Sequence, residues 1–254
     1  MHPIIAKIGP LCVYSYGLMV ATGFAIAILL AYKHAGEFGL GKDRIIDFGI
    51  AILVGGIVGA RLLYVLTNLK YYILNPFEII NITKGGLVWY GAFLFGILVA
   101  VLFVKKNKIN FWAGADLLAP YMALAQAIGR IGCFLNGCCY GAEVPSDYMF
   151  SVVFPGESAF RHPTQIYSAL ALLLLFVILR NWQERRNFNG EVFLGYVMLY
   201  SLTRFGIEFL RGDNPKILSG LTISQLISIP VFTACLAIFI YRLLQWKKSS
   251  SKSA

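Results

Sequence analysis

GRIGCFLNGCCYG, Gly129 to Gly141, ends an apolar segment with one arginine (Arg130), one amide (Asn136), three cysteines (Cys133, Cys138, Cys139) and four glycines. A lipid-facing helix would carry Leu and Val here. An ionisable side chain inside a membrane segment costs a few kcal/mol, so it is turned inward and kept for a purpose. Glycine lets backbone approach a ligand or a neighbouring helix and tolerates a tight turn. The stretch therefore reads as a polar pocket at a membrane face.

Composition extends that reading to the whole chain. The 254 residues are 58% hydrophobic and only 13% charged, with a mean hydropathy of +0.71. These values lie outside the range of soluble domains and predict an all-α integral membrane protein, a single polytopic domain over residues 1–254. The net charge of +10 sits in short clusters between apolar runs. Such clusters serve topology and anionic headgroups; no motif for nucleic acid accompanies them.

Apolar runs predict seven transmembrane helices: Val13–Tyr32, Ile45–Leu66, Leu87–Val104, Phe111–Ile128, Gln165–Leu179, Val192–Leu210 and Ile223–Leu244. Each is long enough to cross or nearly cross a hydrocarbon core of about 30 Å. Residues 1–11 lack the basic start of a secretory signal, so the N-terminus is expected to be retained. Gly55, Gly56 and Gly59 give the second span a surface for close helix packing. Residues 130–165 form the outer-face loop region, and residues 245–254 a disordered tail in the cytoplasm.

Charge sets the orientation. With the N-terminus outside, the inner loops hold Lys33, Lys42, Arg44, Lys105, Lys106, Lys108, Arg180, Arg185, Arg186, Arg242, Lys247, Lys248 and Lys252. The outer loops hold only Lys7, Lys70, Lys84, Arg161 and Lys216. Positive residues collect on the cytoplasmic side, so the N-terminus is outside and the C-terminus inside.

Four further arginines, Arg61, Arg130, Arg204 and Arg211, then fall in the outer half of the bilayer. Arg204, Glu208 and Arg211 stand at i, i+4 and i+7 on one helix face, where Glu208 can pair with both guanidiniums. One acid among four arginines leaves positive charge at the outer headgroup level. An arginine fork matches phosphate. Tyr16, Tyr90, Asn136 and His162 reach the same level and supply donors and a base, which points to a phospholipid headgroup site. For Arg61 a second role stays open, bonding to carbonyls of a neighbouring helix, and Tyr90 with Trp89 also fits an aromatic belt.

The spacing C-x4-C-C of Cys133, Cys138 and Cys139 is not a usual zinc pattern, so neither metal nor cofactor is expected. If the outer face is oxidising, Cys133 has two candidate disulfide partners. Cys12 and Cys235 read as small apolar residues.

The strings YGLM (Tyr16–Met19), GGLVWYGAFLFG (Gly85–Gly96), GRIGCFLNG (Gly129–Gly137), RHPTQIY (Arg161–Tyr167) and RFGIEFLR (Arg204–Arg211) resemble those of bacterial phosphatidylglycerol:prolipoprotein diacylglyceryl transferases, in the same order along nearly the whole chain. The resemblance implies an enzyme of the bacterial inner (plasma) membrane. Such an enzyme moves the diacylglyceryl group of phosphatidylglycerol to the lipobox cysteine in a prolipoprotein signal peptide, forming a thioether and releasing glycerol 1-phosphate.

The family's phospholipid-binding arginine matches Arg130, and its second essential arginine matches Arg204, followed by Glu208 and Arg211. On this pattern the phosphate sits on Arg130, Arg204 and Arg211 offset leaving-group charge, Tyr90 orients the reacting groups and His162 supports them. The chain departs from the pattern at Tyr90, where many members have histidine, at Cys133 in place of an asparagine, and at Cys138 in place of an acid. Competing readings are a relative with another acceptor and a membrane thiol-disulfide protein working through Cys133, Cys138 and Cys139. An anion transporter is disfavoured, since the spans show no inverted repeat.

Overall fold

The computed structural model describes residues 1–8, 11–81, 85–218 and 220–251; Lys84 and Lys252 of the charge count lie outside them. The chain opens with a hairpin of β1, Ile4–Ile8, and β2, Leu11–Tyr14, and enters α1, Ser15–His34. A 3-10 turn, Ala35–Phe38, leads to α2, Lys42–Thr67, then α3, Leu69–Leu74, and a second 3-10 turn, Pro76–Ile79. α4 spans Trp89–Lys106 and α5 spans Phe111–Asn136. A loop with the short strands β3, Val152–Val153, and β4, Phe160–Arg161, precedes α6, Thr164–Glu184, and α7, Glu191–Glu208. The hairpin of β5, Lys216–Leu218, and β6, Leu221–Thr222, delivers the chain to α8, Ile223–Ser250.

Among the described residues six helices are long and apolar enough to cross a membrane: α1, α2, α4, α5, α6 and α8. The sixth expected span falls on α7, which has 18 residues and carries Glu191, Arg204 and Glu208. It ends at Glu208 rather than Leu210. α5 differs the other way, running eight residues beyond Ile128 to Asn136, so Arg130 and Cys133 stand inside the helix. Its glycines do not break it; they admit α1. A Cβ at Gly132 would meet Met19 Cβ at 2.9 Å and Tyr16 Cα at 3.3 Å, and one at Gly23 would meet the Ala125 carbonyl oxygen at 2.9 Å. The break comes at Gly137, with φ +74°. α8 stays helical through Ser250, where a disordered tail from residue 245 is expected.

The chain divides into two compact units, residues 1–31 with 115–254, and residues 32–114. In the first, Ala119, Ala123 and Ala127 line one stripe of α5 and pack with Leu172, Leu175 and Leu179 of α6 and with Val192 and Tyr196 of α7. Small residues at this spacing let backbones approach, so van der Waals contact holds the helices together where lipid removes the hydrophobic drive. In the second unit the α2 glycines receive α4. Gly55 faces Val99, and a Cβ at Gly59 would meet the Gly91 carbonyl oxygen at 2.6 Å.

Candidate functional site

Arg130 lies on α5 one turn before Cys133 and is half-buried. Among the described residues it has no hydrogen bond and no carboxylate partner. A guanidinium in that condition is a site for an anion. Arg204 and Tyr16 both lie within electrostatic reach of it. Asn136, the last residue of α5, is in hydrogen-bond reach of the Cys138 thiol.

The end of α7 is more fully paired than its spacing suggests. Arg204 Nη2 is 2.8 Å from Glu208 Oε2 and donates to Ser224 Oγ at 2.8 Å. Glu208 is buried and does not hold Arg211. Its other oxygen accepts from Thr222 Oγ1 at 2.9 Å and from the Asn214 amide. Because α7 stops at Glu208, Arg211 leaves the helix face and forms a bidentate pair with Asp213, at 2.6 and 2.8 Å. Asp213 thus compensates one of the four arginines and Glu208 another, and of the three in this unit only Arg130 is left without an acid among the described residues. Ser224, Thr222, Asn214 and Asp213 were absent from the sequence-based candidates. The polar run RGDN after the helix was the available signal for two of them.

Three loops meet through backbone. Gly141 N–H donates to His162 O at 2.9 Å, Ala142 N–H to Leu210 O at 2.8 Å, and His162 N–H to Ala142 O at 3.1 Å. Only glycine fits at 141, since a Cβ would meet Leu210 O at 2.5 Å and His162 Cβ at 2.6 Å. The junction brings the segment after Arg130, the RHPTQIY string and Arg211 together. The His162 ring lies edge-on to Tyr148, with Nδ1 3.4 Å from Tyr167 Oη. Nearby, Tyr140 Oη donates to Glu157 Oε1 at 2.6 Å, and Arg161 pairs with Glu157 at 2.8 Å and Glu143 at 3.0 Å. The Tyr140 hydroxyl, followed by Arg161, holds the Glu157 carboxyl below its ordinary range.

Arg61 and Tyr90 belong to the second unit. Arg61 is buried, and all five of its N–H donors go to carbonyls. Nε donates to Ile79, Nη1 to Gly85 and Gly86, and Nη2 to Glu78 and Asn81. Arg61 is thereby a clamp on the loop before α4, the second of the two roles left open by sequence, with loop carbonyls in place of those of a neighbouring helix. Tyr90 is exposed in the first turn of α4, its ring edge-on to Trp89.

Residues 3–241 match the family described as prolipoprotein diacylglyceryl transferase. A phosphatidylglycerol--prolipoprotein diacylglyceryl transferase of Clostridium tetani is 38% identical over 98% of this chain and 100% of its own length. One of Listeria monocytogenes serovar 1/2a is 36% identical over 96% of this chain and 91% of its own. A third, numbered 2 in Clostridium perfringens, is 34% identical over 99% of this chain and 100% of its own.

Proposed function

Since this chain belongs to the prolipoprotein diacylglyceryl transferase family, we propose that it carries out the first step of bacterial lipoprotein maturation. Its substrates are phosphatidylglycerol and the lipobox cysteine of a prolipoprotein signal peptide, and it works as a multi-pass protein of the plasma membrane. The N-terminus is outside, α7 crosses as the sixth of seven spans, and the site faces the outer leaflet. α7 is about 27 Å long at helical rise, Arg204 and Glu208 pair, and Glu191 accepts a hydrogen bond from Trp182, which supports a crossing helix.

One observation carries the reading: a half-buried Arg130 without an acid partner among the described residues, beside two paired arginines. Arg130 takes the phosphate. Arg204, held by Glu208 and Ser224, offsets charge on the departing glycerophosphate oxygen, and Arg211, with Asn136 and Tyr16, completes the headgroup site. The acceptor sulfur bonds to the terminal glyceryl carbon as the C–O bond to phosphate breaks. Its electron pair leaves on the phosphate oxygen as glycerol 1-phosphate. Tyr90 is assigned a donor role on the family's pattern alone, and His162 supports the loop junction.

Purified protein given glycerol-labelled phosphatidylglycerol and a lipobox peptide is expected to attach label to the peptide's cysteine and to fail with Arg130→Ala. Release of glycerol 1-phosphate without a thioether on the peptide would mean another acceptor.

A further inference from the structure

Cys133, Cys138 and Cys139 converge: their three Sγ atoms all lie within 4.8 Å of one another. The backbone is shaped to bring them there. Gly137 turns the chain at φ +74°, so that the Cys138 amide donates to Cys133 O at 3.1 Å. Cys139 then sits at φ +65°, a left-handed geometry that a residue with a side chain adopts at a cost and keeps only when its surroundings hold it. Two buried residues at the start of α6 do so. Gln165 Nε2 donates to Cys138 O at 2.7 Å and Thr164 Oγ1 donates to Cys139 O at 3.0 Å. Cys133 is buried and the other two are half-buried, so the group opens on one side.

Tetrahedral zinc takes thiolates at about 2.3 Å, which sets its sulfurs about 3.8 Å apart. Small side-chain rotations close the present spacing to that value. Three protein ligands with one position open is the arrangement of a catalytic zinc ion rather than a closed structural one. Zinc with three thiolates carries a net charge of about −1. Arg211 and Arg130 stand within electrostatic reach of Cys139, and Arg130, which has no acid partner among the described residues, balances it.

We propose that Cys133, Cys138 and Cys139 hold a zinc ion, and that its open position receives the thiol of the acceptor cysteine. The second half rests on the transferase reading. A thiol bound to zinc loses its proton, here to solvent, and becomes the nucleophile without a side-chain base. The thiolate sulfur forms the bond to the glyceryl carbon, and the phosphate oxygen departs beside Arg130 with the electron pair. Zinc keeps its charge and exchanges the thioether product for water. Nothing is oxidised or reduced.

The full chain, purified in detergent without chelator, is expected to contain about one zinc per chain. Cys133→Ser, Cys138→Ser and Cys139→Ser should each lower zinc content by at least about tenfold. Should a serine variant fail to fold, the wild-type protein loaded with cobalt supplies a second readout. Its thiolate-to-cobalt absorption should shift on adding a lipobox peptide and stay unchanged with the same peptide carrying serine for cysteine. Wild-type protein that neither contains nor takes up zinc would overturn the proposal, as would a disulfide between any two of the three cysteines after trapping of free thiols. Copper in place of zinc would overturn it too, because copper(I) is satisfied by three thiolates and leaves no place for the acceptor. A cobalt spectrum indifferent to the cysteine peptide would remove the acceptor half. By contrast, a spectrum that responds while no glyceryl group leaves phosphatidylglycerol would count against the transferase reading and leave the ion site standing.

Discussion

Arg130 and Arg204 are the same residue type in different conditions, and the difference predicts different defects. Arg130 has no hydrogen-bonded or carboxylate partner among the described residues, so in the proposed mechanism its fork binds the phosphate before and during reaction. Arg204 is already tied to Glu208 and Ser224, and in the proposed mechanism its contribution grows as charge develops on the leaving oxygen. A charge-assisted hydrogen bond is worth about 1.5 to 3 kcal/mol, a factor of roughly ten to a hundred in binding. Lysine keeps the charge but loses the fork. Arg130→Lys should therefore weaken phosphatidylglycerol binding by about that factor, while Arg204→Lys should depress single-turnover rate with binding largely kept. Equal loss of binding in both variants would mean one undivided phosphate site.

Among the elements, α7 depends on a residue far away in sequence. Asp116, buried in α5, accepts from Gly190 N–H at 2.6 Å and Phe193 N–H at 2.8 Å, capping the N-terminus of α7 from a neighbouring helix. The carboxylate satisfies free amides and meets the positive end of the helix. Asp116→Ala should cost about 1 to 3 kcal/mol and lower the thermal unfolding midpoint in detergent, with Asp116→Asn intermediate because it keeps one acceptor.

The loop between α5 and α6 has its own small core, in which buried Phe154 packs on Phe134 and Tyr140, and its own ionic tie at Glu157. The folded Glu157 carboxyl titrates below its ordinary value, so its stabilisation is full above about pH 4.3, the unfolded value, and is lost as pH falls through the lower folded value. Protease cleavage within residues 143–160 should rise in that acid window, and Glu157→Gln should flatten the rise.

At the scale of the molecule, the proposed arrangement in the membrane rests on charge asymmetry. Basic residues close α1, α4 and α8, at Lys33 and His34, Lys105 and Lys106, and Lys247 and Lys248. A cysteine introduced at Ser250 should be shielded from a membrane-impermeant thiol reagent in intact cells, and one at Ser158 should react, each measured against the parent protein to subtract the native thiols. Labelling at Ser250 would invert the topology and move the arginines to the opposite face.

Hydropathy and charge accumulate locally along the chain, which is why the sequence by itself determined a polytopic helical protein, most span positions and Arg130 as the centre of interest. The family strings fixed the class of chemistry for the same reason, since they are local words in a constant order. The tertiary structure alone decided who pairs with whom. Arg61 became a loop clamp because five carbonyls from a loop after α2 converge on it. Arg211 chose Asp213 because α7 ends three residues before it. The three sulfurs met because a turn at Gly137 and buried side chains of α6 fold the chain back on itself. Such partnerships depend on where helices stop and on which backbones approach closely, and no periodic pattern in one segment records what another segment brings to it.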